Sequence, residues 1–262
     1  MTVGDRELAS TGPSVLVLVR HGESVGNVAA AAAGQKGLAR LELEYRDPDT
    51  PLSDNGIAQA KALGRHLASA PAEERPEVVL GSPYVRAAST VEHALEAWPD
   101  APRPVHDERL RERDLGLLDG LTGQGIRDLY PEEAERRAAM GKFYYRPPGG
   151  ESWTDVVLRV RSLLTDVRAE HAGRRVWVFT HQAVIMSFRY LLENLTEEEL
   201  LRADGAQPLG NCALTTYRAG PDAGLELITY GAVEHLESSP AEPTHEEPHV
   251  APDPAPADAS RG

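Results

Sequence analysis

Apolar and polar positions along this chain switch between two periods. Val15–Val19 (VLVLV) is an unbroken apolar run, consistent with a strand buried on both faces. In SDNGIAQAKALGRHLASA, Ile57, Ala60, Leu63, Gly64 and Leu67 share one helical face, and Ser53 and Asp54 stand where a cap begins. EVVL (Glu77–Leu80) predicts a short strand, ended by Gly-Ser-Pro. From Val85 through Ala88 and Val91 to Leu95 and Trp98, apolar residues recur at helical spacing. The clearest helix starts at Ser152: Asp155 follows three residues later as in a capping box, and Val156, Val157, Val160, Leu163, Leu164 and Val167 form one stripe. RVWVFT (Arg175–Thr180) predicts a second buried strand, AVIMSFRYLLENL a helix, and NCALTTYRAGPDAGLELITY two strands joined by a Gly-Pro-Asp turn. Asn27–Leu52 is weaker; its first half reads as helix and its second as loop. Together the elements predict an α/β fold with a mostly parallel sheet and helices on both faces.

Composition then sets bounds. At 262 residues and 41% hydrophobic content the chain can bury one sizeable core. The final stretch is different: from Glu237 it is rich in Pro, Ala and acids, with almost no large apolar residue. Such a segment cannot repay its ordering entropy. The expected layout is therefore a domain over 1–236, with 1–13 flexible, and a disordered acidic tail over 237–262, where His245 and His249 are solvated. A net charge of −14 opposes nucleic acid and anionic membranes, so neither is an expected partner. An anionic substrate would need cations gathered locally against that field. No stretch approaches the roughly 20 apolar residues of a membrane span. The start carries Asp5 and Glu7 in place of a signal peptide's apolar centre. Cys212 is the single cysteine, which suits a reducing, cytoplasmic setting. The oligomeric state is not legible in the sequence.

Candidate chemistry collects where predicted strands stop. Val19 is followed by Arg20 and His21, Leu80 by Gly81-Ser82-Pro83-Tyr84-Val85-Arg86, and Phe179 by Thr180-His181-Gln182. Ligands of open parallel sheets bind beyond the carboxyl ends of strands, so these clusters fall on one rim. Two guanidiniums and two imidazoles on one rim suit a phosphate dianion. An imidazole held in the right tautomer by a carbonyl can attack phosphorus, with Arg20, Arg86 and His181 balancing the equatorial charge. No metal or cofactor is called for, because side chains supply the cations. Glu108, Glu112, Asp114 and Asp119 lie in a loop-like stretch and are candidates for a general acid, since a carboxyl near a phosphate site tends to keep its proton.

At this point the chain resembles the histidine phosphatase superfamily, which includes the cofactor-dependent phosphoglycerate mutases. RHGES followed by Asn27, then DTPLSDNGIAQA, SPYVRAAST, ERDLG, GGES and THQAVI appear in that family's order, from about Val15 to Tyr217. The resemblance implies a three-layer α/β/α sandwich of the phosphoglycerate mutase-like kind. It implies His21 as the phosphorylated nucleophile, with Arg20, Arg86 and His181 as the phosphate pocket. Asn27 and Ser24 follow as further phosphate-side donors. Glu112, four residues before Gly116, fits the family's acid/base position, whereas Glu108 has no glycine at that spacing.

The connection from Gly120 to the GGES motif is short, whereas mutases carry a long insertion there, so hydrolysis is the expected reaction. YPEEAERR, KFYYRPPGGES and THQAVI are similar to the bisphosphatase half of the bifunctional enzyme of fructose 2,6-bisphosphate. Gln182 replaces the glycine that many relatives place after the second histidine, and the bisphosphatase-like relatives share it. Gln182, Tyr145 and Arg146 are the expected contacts to the rest of a small phosphorylated substrate, with Arg46, Lys142 and Tyr144 as further candidates. The expected activity is a metal-independent phosphomonoesterase, with a sugar bisphosphate as one candidate substrate. The rival readings are a mutase, whose phosphohistidine would outlive exchange of bound product, and a phosphate-binding regulatory module without turnover. A metallohydrolase is weaker: His21 and His181 lie far apart in sequence, with no H-x-x-x-H motif near either.

Overall fold

The structure, a computed structural model of the chain, describes residues 12–220, 224–237 and 239–245. In chain order the elements are β1 (Val15–Arg20), α1 (Val25–Lys36), α2 (Asp54–Ser69), β2 (Val78–Gly81), α3 (Val85–Leu95), β3 (Val105–His106), α4 (Gly123–Leu129), α5 (Pro131–Met140), α6 (Trp153–Glu170), β4 (Arg175–Thr180), α7 (Gln182–Leu192), α8 (Glu197–Ala206), β5 (Leu214–Ala219), β6 (Leu225–Ala232) and α9 (Glu234–Glu237). The sheet runs β3-β2-β4-β1-β5-β6. Its first four strands are mutually parallel; β5 and β6 close it antiparallel.

The unbroken apolar runs of β1 and β4 become a three-layer sandwich because successive side chains leave opposite faces. Leu16, Leu18, Val176 and Val178 meet Val156, Val160, Leu163, Ile185 and Phe188 of α6 and α7. Val17, Val19, Trp177 and Phe179 meet Leu63 and Leu67 of α2 and Val91 and Ala94 of α3. Each such aliphatic side chain contributes about 1.5–3 kcal/mol on full burial. The whole α6 stripe from Val156 to Val167 is buried, and its Ser152–Asp155 capping box closes in both directions. Ser53 caps α2 by accepting from the Gly56 N–H, and Ser24 and Asn27 close a second capping box on α1.

Some elements exceed the sequence reading. Residues 121–148 fold into α4 and α5, started by the Thr122 cap and by Pro131. Their apolar residues are too few for a clear stripe: Leu118, Leu121, Ile126 and Tyr145 make only a small satellite core. α8 is another unforeseen helix, with a Thr196–Glu199 capping box. α3 stops at Leu95, short of Trp98.

The predicted tail boundary also moves. Residues 239–245, expected to be disordered, lie against the domain: Ala241 is buried, and Gly210 pairs with His245 in an isolated bridge. Polar contacts hold this segment, and apolar content is blind to them. The expectations for residues 1–11 and 246–262 lie outside the described residues.

The entry to α2 is built by backbone touching backbone. A Cβ on Gly56 would lie 1.9 Å from the Glu23 carbonyl oxygen, and one on Gly22 would lie 2.6 Å from that of Gly56. By contrast nothing lies within 4 Å of a Cβ on Gly34, within α1. Gly56→Ala should therefore cost about 1–3 kcal/mol through overpacking. Gly34→Ala should be neutral or gain up to about 1 kcal/mol of helix propensity. Urea unfolding of the two variants checks this; equal stabilities would show that the close approach is not constraining.

Candidate active site

Parallel register brings the strand-end residues together. Arg20 pairs with Thr180 and Gly81 with Phe179, so the next residues emerge side by side on the carboxyl rim. His21 N–H donates to the Thr180 carbonyl and Ser82 N–H to the Phe179 carbonyl, each at 2.9 Å. The rings of His21 and His181 sit 5.1 Å apart, centroid to centroid. Arg20, His21, Ser82, Arg86 and His181 are all buried.

His21 has a defined proton state. Its Nδ1 lies 2.7 Å from the Gly22 carbonyl oxygen. A carbonyl only accepts, so Nδ1 carries the hydrogen and Nε2 the lone pair. Burial first, then the fields of Arg86 and Arg20, hold this imidazole well below its usual 6.5. His181 is displaced the same way, by burial, Arg86 and His21. Its Nε2 is 2.8 Å from Ser82 Oγ, and its Nδ1 is buried with no hydrogen-bond partner among the described residues. Both rings are therefore neutral at pH 7.

The cations are placed by fixed partners. Arg20 Nη1 donates to the Leu209 carbonyl. Arg86, in the first turn of α3, donates to the Asp47 carbonyl at 2.6 Å and pairs with the Asp47 carboxylate at 3.0 Å. Its guanidinium lies 5.2 Å from the Tyr84 ring centroid. Neither α3 nor α7 has a hydrogen bond from its N-cap side chain, and both begin at this rim.

Of the four candidate acids, Glu112 stands by this rim. Its Oε1 accepts from the Arg113 N–H at 2.8 Å, and its Oε2 faces the Ala183 N–H at 3.5 Å, just past His181. The strand end and this loop are tied by Thr180 Oγ1, which donates to the Leu110 carbonyl at 2.7 Å. Arg159 braces the loop by donating to the Arg109 and Glu112 carbonyls and to Glu151. Asp114 instead accepts from the Gly116 N–H in a turn, and Asp119 from the Gly120 N–H. Glu108 is exposed in a 3-10 turn.

The remaining expected contacts distribute differently. The Ser24 hydroxyl is consumed by the α1 cap, accepting from Asn27 N–H and donating to Asn27 Oδ1. Asn27 Oδ1 also accepts from Ser24 N–H, so only its Nδ2 can serve a ligand as donor. Tyr145 is buried in the α4–α5 satellite core and donates to Glu133 at 2.8 Å. Arg146 pairs with Asp155, and Gln182 and Lys142 both donate to Asp204. Arg46 pairs with Asp49, and Tyr144 donates to Glu197. These side chains are engaged within the protein. Composition around each one gave no sign of its partner.

Several residues were missed. Ser82 and Tyr84 face His181, and Asp47 faces Arg86. Thr90 Oγ1 accepts from the Gly22 N–H at 3.0 Å and donates to the Arg86 carbonyl at 2.7 Å. Cys212 is buried as expected, and burial pushes its thiol up to about 12. It also has a left-handed backbone (φ 55°), which aims its N–H at the His21 carbonyl. A hollow of about 440 Å³ opens beside α1, walled by Val25, Ala29, Leu43 and Tyr45 with Glu42 and Glu44. Among the described residues no three His, Cys, Asp or Glu side chains gather as a metal site would. No helix among them is long and apolar enough to cross a membrane.

Comparison with known proteins bears on this geometry. A family model described as the histidine phosphatase superfamily (branch 1) matches residues 16–231. A 2,3-bisphosphoglycerate-dependent phosphoglycerate mutase of Methylobacterium radiotolerans is 34% identical, over 71% of this chain and 82% of that protein. A 6-phosphofructo-2-kinase/fructose-2,6-bisphosphatase of Caenorhabditis elegans is also 34% identical, but over 66% of this chain and 33% of its own length. Among solved structures, a mycobacterial glucosyl-3-phosphoglycerate phosphatase superposes with a TM-score of 0.65 at 26% identity, over 84% of this chain and 99% of its own. The alpha-ribazole phosphatase of Shigella flexneri, at 19% identity and a TM-score of 0.67, shares the fold over 84% of this chain and 96% of its own.

The buried histidines set a pH dependence. His21, His181 and His235, the last held near 4 by burial and His66, all resist protonation in the native state. Below about 6.5 the unfolded chain takes up protons that the native chain refuses. Stability is therefore full above that pH and is lost as pH falls toward the native values. The melting temperature should drop between about pH 7 and pH 5, and the His21 ring signals should not titrate above about pH 6. A His21 midpoint at or above 6.5 by NMR would contradict the buried, cation-flanked assignment.

Proposed function

This chain belongs to the histidine phosphatase superfamily, and from that premise we propose that it is a phosphomonoesterase working through a phosphohistidine on His21. One observation carries the reading: the Gly22 carbonyl fixes the His21 hydrogen on Nδ1 and leaves a neutral Nε2 lone pair in a buried pocket flanked by Arg20, Arg86 and His181.

In this mechanism Nε2 attacks phosphorus in line with the leaving oxygen. Arg20 and Arg86, with the α3 N-terminus, hold the equatorial oxygens, and His181 adds charge or a hydrogen bond as the transition state forms. Glu112 gives its proton to the leaving oxygen and then takes one from the water that cleaves the phosphohistidine. The side chains supply the positive charge, so the reaction is metal-independent. An incoming phosphate displaces Asp47 from Arg86, exchanging one anion for another at the same guanidinium.

The solved neighbours named as phosphatases and the short 121–148 connection favour hydrolysis. The single cysteine is in keeping with a cytoplasmic setting. The curated relatives named as mutases give weight to a second reading: the phosphohistidine persists while the bound product reorients.

His21→Ala should lose phosphoenzyme labelling and roughly 10³-fold or more of turnover while folding normally. Label retained by that variant would remove His21 as nucleophile. Activity should survive a chelator. Glu112→Gln should slow alkyl phosphates far more than p-nitrophenyl phosphate, whose leaving group needs little protonation; equal losses would point to another acid. Isomerisation of 3-phosphoglycerate stimulated by 2,3-bisphosphoglycerate, exceeding hydrolysis, would favour the mutase reading.

A further inference from the structure

The segment after α9 does more than cover α2. We infer that Thr244 is a positioning residue for His21, acting through two buried side-chain amides; this rests on His21 being the nucleophile.

The connections form a chain with one direction. The Glu23 N–H, two residues after His21, donates to Gln59 Oε1 at 2.8 Å. Gln59 Nε2 donates to the Glu242 carbonyl at 2.7 Å and to Thr244 Oγ1 at 3.0 Å. Thr244 Oγ1 donates to Asn211 Oδ1 at 3.1 Å. Asn211 Nδ2 donates to the His21 carbonyl at 3.2 Å and to Asn27 Oδ1 at 3.3 Å. The Asn211 N–H returns to the Thr244 carbonyl at 2.8 Å. Gln59 is 0% and Asn211 1% exposed, so water does not replace these partners.

The order of donors is forced at every link. Glu23 N–H can only donate, so Gln59 must turn its oxygen to it and its NH₂ to the segment. Thr244 thus receives a hydrogen and passes its own to Asn211 Oδ1. That leaves the Asn211 NH₂ facing two oxygens, the His21 carbonyl and Asn27 Oδ1. Reversed, Asn211 would set oxygen against oxygen at both. A single hydroxyl therefore joins the two oriented amides, and through them both sides of the His21–Glu23 turn. Asn55 anchors the same segment, trading hydrogen bonds with the Glu242 backbone at 2.9 and 3.1 Å. Thr90, from the opposite side, holds the Gly22 N–H. The turn carrying the nucleophile is thus clamped between α3 and a segment more than two hundred residues downstream.

The hydroxyl matters here and not its bulk, which makes the test specific. Thr244 is only partly buried, so Thr244→Val keeps shape and fold. In the full-length protein it should lower kcat for p-nitrophenyl phosphate about fivefold to tenfold, the size of one buried hydrogen bond. KM should change by less than about twofold, and Thr244→Ser should restore kcat. Hydrogen exchange at the Glu23 amide, read in the same proteins, should quicken in Thr244→Val and return in Thr244→Ser. A Thr244→Val enzyme with wild-type kcat and exchange would overturn the inference. So would a Thr244→Ser variant as impaired as the valine. If wild type forms no phosphoenzyme, the reading of His21 as nucleophile fails separately. The exchange data then still decide whether Thr244 holds the turn.

Discussion

Burial of positive charge beside imidazole is the constraint on which this structure turns. Removing a guanidinium from water carries an effective penalty of several kcal/mol unless partners compensate. Here Arg20 takes the Leu209 carbonyl, and Arg86 takes both the carbonyl and the carboxylate of Asp47. Burial first, and then the Arg86 field, keeps His21 and His181 neutral. The field that helps keep His21 unprotonated would also attract a phosphoryl group in the proposed reaction. One electrostatic arrangement therefore serves both binding and reactivity.

Most of the surrounding architecture keeps that arrangement rigid. The turn from His21 to Glu23 leaves a buried strand and must satisfy its backbone groups away from water. Thr90, Gln59, Asn211 and Cys212 each take one of them. Gly22 and Gly56 allow the turn to lie directly on the first turn of α2. On the other side, Glu151 and Arg159 brace the Arg109–Asp114 loop, so Glu112 stands on a scaffold. Preorganisation of this kind is where catalytic electrostatics gain their advantage over water.

Proteins similar to this chain are named for two reactions, phosphate ester hydrolysis and phosphoglycerate isomerisation. In the proposed mechanism both would begin with a phosphohistidine, so the rim residues would not separate them. In this chain Tyr145, Arg146 and Lys142 of the 121–148 connection are taken by Glu133, Asp155 and Asp204. A substrate must compete with those carboxylates or leave them alone.

The sequence by itself determined the strands, the long amphipathic helices and the family resemblance, because burial imprints a period and strand ends carry the polar motifs. VLVLV, RVWVFT and the Ser152 capping box are local signals, and they appear in the structure where the sequence places them. Glu112 was separable from its acidic neighbours only by motif position, until the fold set it beside α7 and left Glu108 exposed. The tertiary structure alone decided the partners of Arg86, Tyr145, Lys142 and Arg146. Pairing across dozens of residues leaves no periodic trace. It alone decided, too, that 239–245 belongs to the domain. That segment is held by hydrogen bonds to Asn55, Gln59 and Asn211, and a Pro/Ala-rich composition reports apolar content while carrying no record of polar contacts.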